Sequence, residues 1–180
     1  MTATAESIDS TKFPALSGTR REKFILKLAD AFLDTSRLAL RRAASVKEEE
    51  FQLALVYGVN GAFAVELYLK CLLTVEGSHV PSTHNLKNLF QQLSRESRAR
   101  ITRRHNDLAK ENAGLAAFRR KGINTELNSL LDDGQDVFKN FRYLFEGIPN
   151  RMKPIGFALE LFGEIVRNRI LDLRPDWVVT

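Results

Sequence analysis

The sequence predicts an all-α protein, an antiparallel helical bundle of five to six helices. Apolar residues recur every three or four positions over long segments, and no segment alternates apolar and polar residues for long enough to form a strand. Helices joined by short loops pack most simply as antiparallel neighbours. A chain of 180 residues is long enough for one domain with a substantial core. We therefore expect a flexible tail over residues 1–18 and a single domain over residues 19–175.

Two capping-box spacings indicate where the first two helices begin. Thr19 is followed three residues later by Glu22, which predicts a helix from about residue 20 to the low forties. Ser45 and Glu48 repeat the spacing, and an apolar stripe then continues as far as Gly77. Glycine is common just after the last helical residue, so the second helix is predicted to end there.

The second half of the chain is predicted to contain shorter helices. Thr83 can cap a third helix, and residues 97–111 continue or restart it. Residues 112–122 contain two glycines and a basic run, which indicates a mobile connector. A further helix is expected from about Asn124 to residue 147, and a last helix from near Pro154.

Composition excludes several classes of protein. The only cysteine, Cys71, lies in an apolar run, so we expect a buried thiol and neither an internal disulfide nor a cysteine metal cluster. The histidines lack metal-ligand spacing, so no metal or cofactor is predicted. The first residues do not form a secretory signal. The apolar stretch 53–65 is shorter than the roughly 20 residues of a membrane span, so we expect a cytoplasmic protein without a membrane segment.

Three pieces of the sequence resemble HEPN domains in order and spacing. They are Glu66–Leu73 (ELYLKCLL), Pro81–Phe90 (PSTHNLKNLF) and Phe138–Glu146 (FKNFRYLFE). The resemblance implies a helical bundle that is often dimeric and is associated with nucleotide binding, RNA cleavage in toxin and defence systems, and nucleotidyltransferase partners. It therefore implies a homodimeric, HEPN-like module of a prokaryotic-type stress, defence or toxin–antitoxin system. Such a module would bind RNA, a nucleotide or a partner protein.

Many HEPN proteins that cut RNA carry an arginine, four to six further residues and then a histidine. Arg142 lies where that late arginine is expected, but no histidine follows it, so we expect a module without efficient catalysis of its own. His105 instead follows Arg100 by five positions and Arg98 by seven. Histidine can act as an acid or base near neutral pH and arginine can stabilise a phosphate, so the alternative is a metal-independent endoribonuclease. An arginine-rich exposed helix also produces this spacing by chance.

On an ideal helix, His105 and Arg98 lie within about 20° of one face, whereas Arg100 is about 140° away. Seven residues still separate His105 and Arg98 by roughly 10 Å along the axis. A shared catalytic site would therefore need a second subunit.

The strongest electrostatic feature is the segment 95–121, with nine basic and three acidic residues. Its net charge of +6 exceeds the +5 of the whole chain. Such a segment can attract phosphates, although a solvated helix face is the alternative. Besides the three candidate catalytic residues, we predict a nucleic-acid or nucleotide-binding set: Arg103, Arg104, Arg119, Arg120, Lys121, Arg142 and Tyr143.

Other side chains have more than one interpretation. Arg142 and Tyr143 could recognise a nucleotide, or the arginine could be a buried link to Glu66 or Glu146. Glu66 and Lys70 have the spacing of a helical ion pair. His84 is expected to pack or cap a helix. A third function is also open, a structural, antitoxin-like partner domain with an exposed apolar patch.

Overall fold

The computed structural model describes residues 18–45, 51–134, 136 and 155–178. These residues form seven α-helices and a short 3-10 turn, without a strand, which confirms the predicted all-α bundle. Outside the described residues lie residues 1–17 of the predicted tail, Glu48 of the second capping-box spacing, Arg142, Tyr143 and the motif 138–146. The helices are α1 Thr19–Ser45, α2 Phe51–Val75, α3 Leu86–Gln92, α4 Arg95–Glu111, α5 Ala113–Arg120, α6 Leu127–Gly134 and α7 Ile155–Leu173; the 3-10 turn is Pro175–Trp177.

The two longest helices, α1 and α2, form an antiparallel hairpin. Ser36 Oγ near the end of α1 donates to the Tyr57 carbonyl near the start of α2 at 2.8 Å. Farther along, Tyr68 Oη donates to Asp30 Oδ1 at 2.6 Å. Residue numbers rise along one helix as they fall along the other, as the short connection between them requires.

Helix α7 packs against both members of this hairpin and completes the main layer. It is antiparallel to α1, because Glu160 near its start contacts Arg37 and Arg174 just beyond its end contacts Glu22. It is parallel to α2. Gly61 on α2 faces Leu159, and Gly163 on α7 faces Tyr68. The absence of a side chain at both glycines lets the helix backbones approach closely.

The shorter helices cover one side of this layer and share its core. Phe162 on α7 stacks edge-on against Phe90 on α3, with ring centroids 6.0 Å apart. Cys71 is completely buried in α2, as predicted, and burial raises the pKa of its thiol to about 12. This thiol is therefore an apolar packing group at neutral pH.

The helices of the second half begin at side-chain caps that the sequence predicted only in part. Asn85, and not Thr83, caps α3 by accepting from the Asn88 N–H at 2.8 Å. The segment 112–122 is not the predicted connector, since most of it is helix α5. Asn112 is extended and ends α4, and its side chain accepts from the Leu115 N–H at 3.0 Å, which starts α5. One capping asparagine thus replaces the loop that the glycines suggested.

Helix α2 contains Leu55–Val75, a 21-residue stretch that is long and apolar enough to cross a membrane. It extends well beyond the apolar stretch 53–65, which the sequence indicated to be too short for a membrane span. Most of it, 61%, is buried within the fold, and Glu66 and Lys70 within it pair with each other. These features are those of the central helix of a bundle, which is apolar because its neighbours surround it.

Candidate nucleic-acid interface

Helix α4 carries most of the arginines of the basic segment and is fixed firmly at its start. Ser94 Oγ accepts from the Ser97 N–H at 3.2 Å and donates to Glu76 Oε1 at 2.7 Å. The helix buries Ile101 and His105 against the rest of the fold. Its opposite side carries exposed arginines, as the amphipathic pattern requires.

A groove of about 530 Å³ runs between α4 and α7. Ile101 and Ile165, whose side chains are almost completely buried, form its apolar base. The polar lining comes from both helices: Arg100, Arg103, Arg104 and Asp107 from α4, and Asn168, Arg169 and Asp172 from α7. Three of the residues predicted from sequence therefore lie together in one groove.

The groove is positively charged, with four arginines against two aspartates. One of these aspartates, Asp107, also pairs with Lys110 at 3.3 Å. Arg103 and Arg104 are exposed and have no ion pair within the ranges that the structure describes. Arginine presents a rigid fork of donors that matches phosphate oxygens, so these two side chains are available to an anionic ligand.

Arg169 is an arginine of this groove that the sequence pattern did not predict. It is only 7% exposed, and its Nε donates to the buried Ser97 Oγ at 2.8 Å. In the sequence it falls on the apolar stripe of α7, between Val166 and Ile170. A charged residue at a core position is the signal that could have found it, because buried charges require partners.

His105 does not face this groove. It is completely buried, and its ring lies edge-on to Phe162 with centroids 6.3 Å apart. Burial lowers the pKa of His105 to about 4, and the neighbouring Asn106 opposes this shift only in part. Neither ring nitrogen makes a hydrogen bond of normal geometry within the described residues. At neutral pH this imidazole is uncharged and shielded from solvent.

The predicted catalytic arginines lie apart from His105 and from each other. Arg100 is exposed, lines the groove and pairs with Glu96 at 3.1 Å. Arg98 lines a separate cleft with Lys87 and Phe90 on the α3 side of α4. The described part of the chain therefore does not bring His105 and these arginines into one cleft, and the catalytic arrangement remains a sequence prediction.

The basic residues at the end of α5 and just beyond it divide into one structural and two exposed side chains. Arg119 lies against the end of α4 and donates to the carbonyls of Ala109 and Lys110, the latter at 2.8 Å. A cation at a helix C-terminus satisfies carbonyls that lack partners within the helix. Arg120 and Lys121 are exposed and lie outside the groove.

The first two motif pieces meet at a buried carboxylate. Glu66 is 1% exposed, and its Oε1 accepts from Lys70 Nζ at 2.8 Å, which confirms the predicted ion pair. His84 Nδ1 lies 2.9 Å from Glu66 Oε2, a contact that sequence spacing did not predict. This pairing fixes the segment before α3 to α2.

A second polar cleft, of about 390 Å³, lies between α1 and α7. Its charges are matched internally, with Arg167 on Asp30 at 2.8 Å and Arg37 on Glu160 at 2.6 Å. Burial, and then the hydrogen bond that Tyr68 donates to Asp30, raise the pKa of that phenol. We interpret this cleft as a lock between helices, since its ionic groups already have partners.

Among the described residues, no group of three or more histidine, cysteine, aspartate or glutamate side chains could hold a metal ion. The α4–α7 groove thus offers guanidinium groups, an amide and two carboxylates.

No protein-family model, curated protein or solved structure matches the chain. The three motif pieces alone support the HEPN resemblance, which remains a prediction.

Proposed function

We propose that this protein is an RNA-binding helical module that holds the phosphate backbone of RNA in the α4–α7 groove. The observation that carries the proposal is the pair Arg103 and Arg104, which are exposed in a groove of four arginines and lack an ion pair within the described ranges. Phosphate contacts through arginine supply affinity without reading bases.

The lining of the groove favours RNA over other anions. Its side chains are charged, amide or aliphatic, so it offers no aromatic platform for stacking bases. Asp107 and Asp172 would repel a phosphate, but they can accept hydrogen bonds from ribose hydroxyls beside it. This combination suits a ribose–phosphate backbone, and it agrees with the RNA association that the HEPN resemblance implies.

Binding is proposed here without cleavage. A general acid or base must reach the proton that it transfers, and His105 is enclosed by apolar side chains including Leu130 and Phe162. Its low pKa also keeps it neutral near pH 7. The endoribonuclease alternative would require a different exposure of this histidine, or a catalytic group outside the described residues.

The test measures the fluorescence anisotropy of a labelled, mixed-sequence single-stranded RNA titrated with protein at low ionic strength. The double variant Arg103→Gln/Arg104→Gln removes two charges from the groove. We expect its affinity to fall about tenfold, because each lost phosphate contact costs somewhat less than about 1 kcal/mol at an exposed site. Single-stranded DNA of the same sequence should bind more weakly.

The matched control is Arg120→Gln/Lys121→Gln, which removes the same charge from exposed positions outside the groove. We expect its affinity to change about twofold, through the general field alone. Equal losses of RNA affinity in the two double variants would assign binding to the whole basic segment. That result would overturn the groove as the binding site. Absence of RNA binding by the native chain at low ionic strength would overturn the function.

A further inference from the structure

A carboxylate already bridges two arginines of the groove. Glu96 Oε1 lies 3.1 Å from Arg100 Nε and 3.2 Å from an Nη of Arg169. One oxygen atom thus accepts from guanidinium groups on two different helices. Convergence of two guanidinium groups on one oxygen marks a position that favours an anion.

The two sides of this bridge differ in freedom. Arg169 is 7% exposed and is held through Nε by Ser97, so its guanidinium is fixed before any ligand arrives. The Glu96 side chain, in contrast, is 64% exposed. A solvent-exposed carboxylate can swing away at little cost, whereas the buried arginine cannot follow it.

We propose that Glu96 is an internal stand-in for an RNA phosphate, and that Arg169 is the preformed phosphate-binding arginine that it covers. A phosphate that displaces Glu96 would keep the buried charge of Arg169 compensated and would accept from Arg100 as well. Phosphate offers more acceptor oxygens than a single carboxylate contact, so the exchange favours the ligand. Because Glu96 occupies this position in the free protein, it weakens RNA binding and excludes weakly binding anions.

This inference rests on the proposed RNA function and makes a prediction that the function alone does not make. Removing a carboxylate that pairs with two arginines of the groove should tighten RNA binding beyond the effect of charge in general. We expect Glu96→Gln to bind the labelled RNA about fivefold more tightly, since both competing ion pairs of Glu96 are lost. Inorganic pyrophosphate, titrated by calorimetry, should also bind Glu96→Gln more tightly than the native chain.

Glu111→Gln is the matched control, because it removes the same charge from an exposed position on α4, and Glu111 makes no ion pair with a groove arginine within the described residues. Its affinity should rise less than twofold by this account. A second variant, Arg169→Lys, keeps the charge but loses the forked donor set. It should bind RNA more weakly than the native chain, and adding Glu96→Gln to it should restore little affinity.

The outcomes separate the two proposals. If native protein binds RNA through Arg103 and Arg104, but Glu96→Gln and Glu111→Gln behave alike, the stand-in is overturned and the RNA function survives. Unchanged affinity in Arg169→Lys, with circular dichroism showing an intact fold, would also overturn it. If neither RNA nor pyrophosphate binds any of these proteins, both proposals fail.

Discussion

The imidazole of His105 on α4 lies edge-on to the ring of Phe162 on α7, with 6.3 Å between centroids and an interplanar angle of 85°. This contact places a titratable group in the core between two helices that also form the groove. Because burial lowers the pKa of His105 from 6.5 to about 4, protonation is unfavourable in the folded state. The histidine therefore acts as packing at neutral pH.

This position predicts a loss of stability in acid. The unfolded chain binds the His105 proton at a higher pH than the folded protein, so the free energy of unfolding falls as pH drops below 6.5. The loss is complete below about pH 4 and amounts to about 3 kcal/mol. Urea unfolding followed by circular dichroism at several pH values measures it.

The variant His105→Leu isolates this contribution. It removes the titrating ring together with two buried nitrogens that lack normal hydrogen bonds, so it should be at least as stable as the native chain at pH 7. Between pH 6.5 and 4.5, its free energy of unfolding should fall less than that of the native chain. The control His79→Gln, at an exposed position, should lose as much stability over this range as the native chain does. Parallel curves for the native chain and His105→Leu would contradict the assignment.

Two glycines at helix contacts predict opposite responses to alanine. A Cβ at Gly61 would lie 3.1 Å from Ser36 Oγ, whose position is fixed by its bond to Tyr57. A Cβ at Gly163 would lie 3.5 Å from Tyr68, which is ordinary contact. Alanine is favoured over glycine within a helix by about 1 kcal/mol. Thermal unfolding should therefore show Gly163→Ala unchanged or stabilised.

Gly61→Ala should instead lower the free energy of unfolding by about 1 kcal/mol, because overpacking α1 against α2 outweighs the helical preference. The Gly163→Ala variant is its control for helix propensity. The contradicting result is an equal rise in melting temperature for Gly61→Ala and Gly163→Ala. It would show that Ser36 moves aside to accept the added methyl group, and that α1 and α2 do not pack tightly at Gly61.

The buried carboxylate of Glu66 predicts a further stability effect. Glu66→Gln retains the shape but removes the negative charge that Lys70 and His84 face. It should lower the free energy of unfolding by about 2 kcal/mol, since one partner of a mostly buried ionic contact is lost. Urea unfolding measures this loss. Glu126→Gln, at an exposed position, is the control, and equal stability of the two variants would contradict the role of Glu66.

Sequence periodicity was sufficient for the long helices. The apolar stripes of α1 and α7 reflect burial on one face, and the longer apolar run of α2 reflects burial on most sides, which are both local properties of the segment. The helix α5 was missed because the two glycines of the segment 112–122 suggest a loop, while the residue that decides the structure is Asn112. An asparagine that ends one helix and caps the next depends on the direction of both helices.

Only the α4 side of the candidate site was predictable from the sequence. Arg100, Arg103 and Arg104 stand out as a local concentration of charge on α4. Arg169 is distant in sequence, and only the packing of α7 on α4 brings it next to Ser97. His105 shows the opposite case. Its spacing from the arginines suggested catalysis, but its position on α4 places the ring in the core. Spacing along a chain does not specify which side of a helix is covered.

The salt dependence of RNA binding tests the central claim most directly. For a single strand, the slope of log Kobs against log salt concentration is about −0.7 for each phosphate contacted. Three or four groove arginines on phosphates predict a slope of about −2 to −3 for the native chain, reduced in magnitude by about 1.4 in Arg103→Gln/Arg104→Gln. A native slope equal to that of the variant, or no binding at low salt, would contradict the groove as an RNA site.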